Sequence, residues 1–219
     1  MGLLALLARI NAAHPWSHND AYARFVLRNA RAVRRRGGTT ALDVGCGTGN
    51  LLVRLSPVLP SAVGLEPDGD VAAIAVQRFR ESSNVRIEQR HFGVEPAQAY
   101  DLIVFAASLH HMPLSAALNA ARTSLRPGGR LVIIGVAKET PDDALRSWIS
   151  LLLNPIVGLI RHPQRAHQTP PHLRAPTAEA DQSFDEIRAI ASALLPGIRM
   201  RRRLFWRYTA VWVKEPEHY

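Results

Sequence analysis

The sequence is short of several things, and each shortage excludes something. Cys46 is its only cysteine, which rules out an intrachain disulfide and a cysteine-based zinc cluster. That usage fits a reducing compartment, and a cytoplasmic protein is expected. Lysine occurs only as Lys138 and Lys214, so the basic surplus, 27 Lys and Arg against 18 Asp and Glu, is almost wholly arginine. A net charge of +9 can attract nucleic acid, anionic lipid or acidic substrates. An arginine-, alanine- and proline-rich chain is also what a GC-rich genome writes, and that blander reading ranks first. No apolar run reaches the ~18–20 residues that span a bilayer, so stable membrane insertion is not expected. The start, Met1 to Arg9, is apolar but has no basic leader, and Arg9 interrupts it, unlike a secretory signal. Leu6 stands where a myristoylation signal following Gly2 needs Ser or Thr. The segment reads as an amphipathic first helix, with membrane-surface contact as the lesser alternative.

What is present is ordinary for a globular chain. Its 219 residues are 47% hydrophobic and 21% charged. A chain of this length buries roughly 70% of the surface its unfolded form exposes, enough for one domain without staples. Residues 3–13 read as a helix, broken by His14-Pro15-Trp16-Ser17-His18-Asn19. Ser17 or Asn19 offers a cap for a second helix over residues 20–35, which Gly37-Gly38 stops. Strands are expected at 40–45, 61–66, 85–89, 100–106 and 130–135, helices at 51–55, 70–80 and 115–125, and a turn at 126–129. This alternation predicts an α/β fold: a Rossmann-like doubly wound sheet with helices on both faces. Ligands of such sheets bind at the carboxyl ends of the strands. Beyond residue 140 the pattern changes. Residues 142–160 read as helical segments broken at Asn154-Pro155, and 161–177 show no regular element. A helix follows over 184–194. A β-hairpin over 199–214 rests on the strand formers Leu204-Phe205-Trp206 and Ala210-Val211-Trp212-Val213.

The most informative stretch is Leu42-Asp43-Val44-Gly45-Cys46-Gly47-Thr48-Gly49-Asn50. A strand ends, glycines let the backbone approach a ligand, and a helix N-terminus offers free N–H groups. Asn50 occupies the place of the third glycine in the dinucleotide fingerprint, and no Gly-Lys-Ser/Thr follows, so neither NAD nor P-loop patterns are met. Asp43 beside this loop repels a pyrophosphate and suits a ligand carrying positive charge. Glu66 ends the second strand, where a carboxylate can accept hydrogen bonds from both hydroxyls of a ribose. Pro67, next in line, is placed to pack on an adenine face.

These residues resemble the class I S-adenosylmethionine-dependent methyltransferases. Leu42 to Gly49 is similar to that family's first motif nearly letter for letter, and Gly64-Leu65-Glu66-Pro67 to its second. Tyr100-Asp101-Leu102-Ile103-Val104 resembles the fourth-strand motif, and Leu109-His110-His111-Met112 the segment after it. Leu125-Arg126-Pro127-Gly128-Gly129-Arg130-Leu131 resembles the turn before the fifth strand. Five such matches in the family's order, over residues 19–135, make the signal specific. The resemblance implies S-adenosyl-L-methionine as cofactor and S-adenosyl-L-homocysteine as product. It places Gly45, Cys46, Gly47 and Gly49 along the methionine portion, Asp43 near its amino group and Glu66 on the ribose. Ala106, at the end of the fourth strand, joins the cofactor-binding set, and Tyr22 joins it from the N-terminal helices that usually lid this site. It also implies seven strands, closed by a C-terminal antiparallel hairpin. One departure is plain. The family usually carries an Asp after the third strand that contacts the adenine amino group; here His91 stands there, with Phe92 left to flank the ring.

The expected organisation is one methyltransferase domain: lid helices over 1–38, a cofactor-binding core over 39–139, a helical and looped acceptor region over 140–195, and the closing hairpin over 196–219. Three histidines are candidates for a general base: His110 and His111 after the fourth strand, and His18 before the second helix. Trp16 and Tyr22 are candidates to line the pocket. No metal site is expected, because His162, His167 and His172 are spaced by five without acidic partners. Arg34-Arg35-Arg36 and Arg201-Arg202-Arg203 offer phosphate contacts, but strand alternation sends Arg202 to the opposite face from its neighbours. A pyrimidine C5 methylase needs a second, nucleophilic cysteine, and none exists. Phe105-Ala106-Ala107-Ser108 replaces the Asn/Asp-Pro-Pro-Tyr of many nucleobase amino-methylases. The leading expectation is therefore methyl transfer to an oxygen, nitrogen or carbon of a small acceptor. Trp148 and Ile149 suggest that the acceptor is partly hydrophobic. The alternatives are an RNA or protein methyltransferase using the basic surface, and a non-catalytic binding module of the same fold. Oligomeric state is left open.

Overall fold

The computed structural model describes residues 2–164 and 180–215. His167 and His172, with most of the irregular 161–177 stretch, lie outside the described residues. Seven strands form one sheet in the order β3-β2-β1-β4-β5-β7-β6: β1 (Thr40–Val44), β2 (Ser61–Leu65), β3 (Val85–Glu88), β4 (Tyr100–Ala106), β5 (Leu125–Gly135), β6 (Arg199–Arg202) and β7 (Tyr208–Val213). The first five run parallel, and β7 lies antiparallel between β5 and β6. Among the described residues seven α-helices accompany them: α1 (Leu3–Ala13), α2 (Ala23–Arg35), α3 (Asn50–Leu55), α4 (Gly69–Phe79), α5 (Leu114–Ser124), α6 (Ala144–Arg161) and α7 (Phe184–Leu194).

The strands read as continuous apolar runs because both faces of the sheet are covered. Leu42, Val44, Ile103, Phe105, Leu131 and Ile133 point to one face, where Leu118 and Ala121 of α5 and Ile187 of α7 meet them. Ala41, Leu102, Val104, Val132 and Ile134 point to the other, against Val26, Ala30 and Val33 of α2 and Leu52 and Leu55 of α3. The period of two along each strand sorts these residues between two cores. At the amino end of the strands Asp101 acts as a clamp. Its Oδ2 accepts the N–H groups of Thr39 and Thr40, the Thr40 hydroxyl and Arg126 Nη1 at 2.8–2.9 Å. Burial pushes its carboxyl up, but these donors prevail and hold it below the ordinary value. The fourth-strand motif thus serves the sheet at the edge where its strands begin.

Several local expectations need correction. Residues 126–129 belong to β5. Tyr100 faces Leu125 and Leu102 faces Arg130, so the intervening residues bulge. Gly128 N–H donates to the Lys214 carbonyl and Lys214 N–H to Gly129, so the apparent turn finds partners just past β7. Asn154-Pro155 does not break α6, which runs through Pro155. A proline removes one N–H, and here packing outweighs that loss. A Cβ on Gly158 would lie 2.5 Å from the His14 carbonyl, so the helix sits directly on the chain leaving α1. Trp16 Nε1 reaches both Asn154 Oδ1 (2.8 Å) and its carbonyl (3.2 Å). Because the helix is unbroken, Pro141–Arg161 is long and apolar enough, by length and composition, to cross a membrane. Its apolar side chains face outward: Leu145, Trp148, Leu152, Ile156 and Ile160 are exposed, while Ser150, Asn154, Pro155 and Gly158 are buried. Leu204-Phe205-Trp206 is not a strand. β6 ends at Arg202, and Phe205 and Trp206 take left-handed φ values of 57° and 55° in the connection to β7. Neither Ser17 nor Asn19 caps α2. Tyr22 precedes that helix, and Asn19 Oδ1 accepts from Arg207 Nε instead.

Candidate functional site

The loop after β1 lies at the carboxyl end of the sheet. Gly45, Gly47 and Gly49 all have left-handed φ, from 55° to 81°. At Gly45 the requirement is also steric: a Cβ would come 2.5 Å from Ser108 Cβ, whose hydroxyl donates to the Val44 carbonyl. At Gly49 a Cβ would meet the Phe79 ring at 2.4 Å. Glu66, at the end of β2, folds onto this loop. Its Oε2 accepts Gly47 N–H (2.9 Å) and its Oε1 accepts Asp68 N–H (3.1 Å). The carboxylate is thereby oriented, with lone pairs left on both oxygens.

Asp43 is 1% exposed, and among the described residues neither carboxylate oxygen has a hydrogen-bond partner. Burial, with Glu66 nearby as the smaller cause, pushes its carboxyl up to about 7. A buried carboxylate with no donor is costly. A positively charged ligand group resolves that cost, so the residues present fit a cofactor bearing an ammonium. Cys46 is buried in the same loop, and desolvation, then Asp43 and Glu66, push its thiol far above the ordinary range. It is a small apolar lining residue and no thiolate nucleophile.

These residues form part of the lining of a cavity of about 850 Å³. Asp43, Gly45, Cys46, Gly47, Glu66, Pro67 and Ala106 all line it, as do Trp16, His18, His110 and His111. The rings of His110 and His111 are 4.0 Å apart, centroid to centroid, in the short turn after β4. Four candidates lie outside the lining. Gly49 packs behind the loop on Phe79. Tyr22 donates its hydroxyl to the Leu204 carbonyl at 2.7 Å. His91 is exposed, and Phe92 turns its ring edge-on to Phe105 in the core. Trp148 and Ile149 also lie outside it, on the outward face of α6. Among the described residues, no group of three or more His, Cys, Asp or Glu is placed to hold a metal.

A second wall joins segments far apart in sequence. Trp16 and His18 come from the connection between α1 and α2, Asn154 from α6 and Arg207 from the residue before β7; all four line the cavity. Trp16 Nε1 can only donate, so the Asn154 atom 2.8 Å away is the amide oxygen. His18 Nε2 lies 3.0 Å from that same oxygen. An amide oxygen only accepts, so His18 donates from Nε2 and keeps its lone pair on Nδ1. Burial, then the charge of Arg207, lowers the His18 pKa, so the ring is neutral at pH 7. Phe205 stacks at 5.9 Å on His18 and meets Trp16 edge-on at 5.0 Å. Sequence reading missed Asn154 and Arg207. An amide within an otherwise apolar helical run was a signal for the first. The second carries no local signal.

The comparisons with known proteins agree with this geometry. A family model described as a methyltransferase domain matches residues 16–192. An uncharacterized methyltransferase of Mycobacterium bovis is 28% identical over 207 residues, covering 90% of this chain and 96% of that protein. A ubiquinone biosynthesis O-methyltransferase of Bradyrhizobium diazoefficiens is 29% identical over 148 residues, 66% of this chain and 58% of that protein. Among solved structures, the N-methyltransferase NodS from Bradyrhizobium japonicum shares the fold with a TM-score of 0.57 at 16% identity, covering 90% of this chain and 96% of its own. A SAM-dependent methyltransferase from Aquifex aeolicus does so with a TM-score of 0.54 at 17% identity, covering 97% and 99%. With the glycine loop, the Glu66 carboxylate just after β2 and the seven-stranded sheet closed by β6 and β7, the chain belongs to the class I S-adenosylmethionine-dependent methyltransferase family.

Proposed function

We propose that this methyltransferase moves the methyl group of S-adenosyl-L-methionine to a nucleophilic atom of a small-molecule acceptor by in-line displacement. The observation that carries the reading is Asp43, a buried carboxylate without a donor among the described residues, set near the carboxyl end of β1 in a large cavity. S-adenosylmethionine, when bound, supplies an electrophilic methyl on a sulfonium. Asp43 would receive its ammonium, Glu66 its ribose hydroxyls, and the backbone at Gly45 and Gly47 would pass alongside. The chain's remaining work is to align the acceptor and exclude water.

The acceptor side is built by Trp16 and His18 from the N-terminal region, Asn154 from α6 and Arg207 from the hairpin. His18 Nδ1, neutral and carrying a lone pair, is the favoured base for an acceptor hydroxyl or ammonium. His110 and His111 are the alternatives along the same cavity. A cavity walled by these elements favours a small molecule over an RNA. The Arg201-Arg202-Arg203 run gives no continuous phosphate track: Arg202 is spent on Asp143 and Asp185, and Arg203 donates to Thr209. One relative is named as a ubiquinone biosynthesis O-methyltransferase, in keeping with a small-molecule acceptor.

The test is a calorimetric titration with S-adenosylhomocysteine. Saturable binding in the micromolar range is expected, weakened at least about tenfold by Glu66→Ala, the scale of one or two charge-assisted hydrogen bonds. Well-folded protein that fails to bind at millimolar ligand refutes the reading in favour of a non-catalytic module.

A further inference from the structure

Arg207 is a cation lining the cavity with no anion against it among the described residues. Its Nε donates to Asn19 Oδ1 at 2.9 Å, and its Nη1 makes long contacts with the carbonyls of Trp206 (3.3 Å) and Phe205 (3.5 Å). Among the described residues its other terminal nitrogen makes no hydrogen bond, and no carboxylate lies within 4.0 Å of the guanidinium. Nearby arginines are treated differently. Arg54, in the same cavity, lies 3.7 Å from Asp20, and Arg202 holds two aspartates. Desolvation brings the Arg207 pKa down to about 10, which leaves it charged at neutral pH.

The chain goes to some length to keep this side chain in place. Phe205 and Trp206, immediately before it, are consecutive non-glycine residues with left-handed φ. Such backbone persists only where its surroundings over-determine it. Here they do. Phe205 N–H donates to Ser150 Oγ of α6 (2.8 Å), the Tyr22 hydroxyl donates to the Leu204 carbonyl, and Arg203 N–H donates to the Arg207 carbonyl (2.8 Å). Two other parts of the fold, α6 and the segment before α2, together with a hydrogen bond inside the connection itself, therefore hold a strained connection that sets a guanidinium in the cavity lined by His18 and Asn154. A partly desolvated cation with no counter-charge is unfavourable for folding alone. It becomes favourable when a ligand brings the anion, and the guanidinium fork matches a planar carboxylate or a phosphate.

We propose that Arg207 recognises an anionic group, a carboxylate or a phosphate, on the methyl acceptor. This rests on the methyltransferase reading of the same cavity. An acceptor anchored on Arg207 presents its nearby hydroxyl or amine to His18, whose ring is held by Asn154. Arg207 selects and positions the acceptor, and neutral analogues lacking the anion are poorly bound.

The experiment uses the full chain saturated with S-adenosylhomocysteine. Inorganic phosphate, benzoate and the uncharged benzamide are titrated by calorimetry at constant ionic strength. Saturable binding of at least one anion is expected, with benzamide about tenfold weaker or worse, the scale of a charge-assisted hydrogen bond. Phosphate alone binding identifies a phosphate-bearing acceptor, and benzoate alone a carboxylate. Arg207→Met should abolish anion binding without lowering the melting temperature and with the affinity for S-adenosylhomocysteine kept. Arg31→Met, at an exposed arginine of α2, should change nothing. If Arg207→Met does not fold, Arg207→Lys keeps the charge and loses the fork, and should weaken anion binding severalfold. The proposal is overturned if benzamide binds as tightly as the anions, if the folded Arg207 variant binds them like the parent, or if protein loaded with S-adenosylhomocysteine binds neither anion. Failure of the parent to bind S-adenosylhomocysteine overturns the methyltransferase reading instead, and the anion titration then judges Arg207 separately.

Discussion

Asp43 concentrates the chemistry of the site into one unsatisfied group. Its carboxyl is raised from 3.8 to about 7, by burial first and Glu66 second. Between those values the folded, unliganded protein keeps a proton that the unfolded chain releases. Stability therefore falls as pH rises from about 4 to 7 and is level above that, at a cost of about 4 kcal/mol. Asp43→Asn should remove this slope and raise the melting temperature of the unliganded protein at pH 8, while weakening cofactor binding more than about tenfold. Melting curves at pH 5 and pH 8 check it; an Asp43→Asn variant that melts lower than the parent at pH 8 speaks against the account. The cavity-lining residues legible in the sequence were those placed by a local pattern. Asp43, Gly45, Gly47 and Glu66 sit within one strand or loop, and the strand–loop–helix pattern marks them. Arg207 and Asn154 were not legible, because their role depends on partners 136 to 188 residues away.

At the scale of elements, α6 is the clearest case of tertiary structure overriding local signals. Its Asn-Pro pair reads as a stop, yet the helix continues, because Gly158, Asn154 and Ser150 fit against the chain around His14, Trp16 and Phe205. Gly158→Ala forces a Cβ to 2.5 Å from the His14 carbonyl and should cost about 1–3 kcal/mol, read from denaturant unfolding. Replacing Leu152 and Ile156 together by Ser, on the exposed face, should change stability by less than about 1 kcal/mol. A large loss there would mean that these side chains are packed in solution. The closing hairpin is present, but its first strand stops at Arg202 for a related reason. Leu204, Phe205 and Trp206 have high strand propensity, but Phe205 and Trp206 are drawn into the aromatic group with Trp16 and His18. Such propensity describes fit to a half-buried pleated surface, and these residues meet a cavity wall instead. The capping of α7 was not anticipated. Ser183 accepts Glu186 N–H, and the Glu186 side chain returns to Ser183. Ser183→Ala should cost about 1 kcal/mol by the same unfolding measurement.

At the scale of the whole molecule, topology makes the site. The sheet order places β1 between β2 and β4, so the ends that carry Asp43, Glu66 and Ala106 open on one cavity. α1, α6 and the hairpin add the second wall. The alternation of strand and helix was readable because a parallel sheet imposes continuous apolar runs and helical connections. The second wall was not, because it is assembled from pieces near residues 16, 154 and 207 by packing alone. On the proposed reading this cavity binds a cationic cofactor through the Asp43 carboxylate. The most direct measurement is the affinity for S-adenosylhomocysteine, whose ammonium would face Asp43, at pH 6 and pH 8. The unliganded carboxyl near 7 must lose its proton on binding. Affinity should therefore be about tenfold weaker at pH 6 than at pH 8, with close to one proton released per ligand at the lower pH. In Asp43→Asn both the difference and the proton release should vanish. Equal affinity at the two pH values in the parent protein, with no proton released, would contradict it.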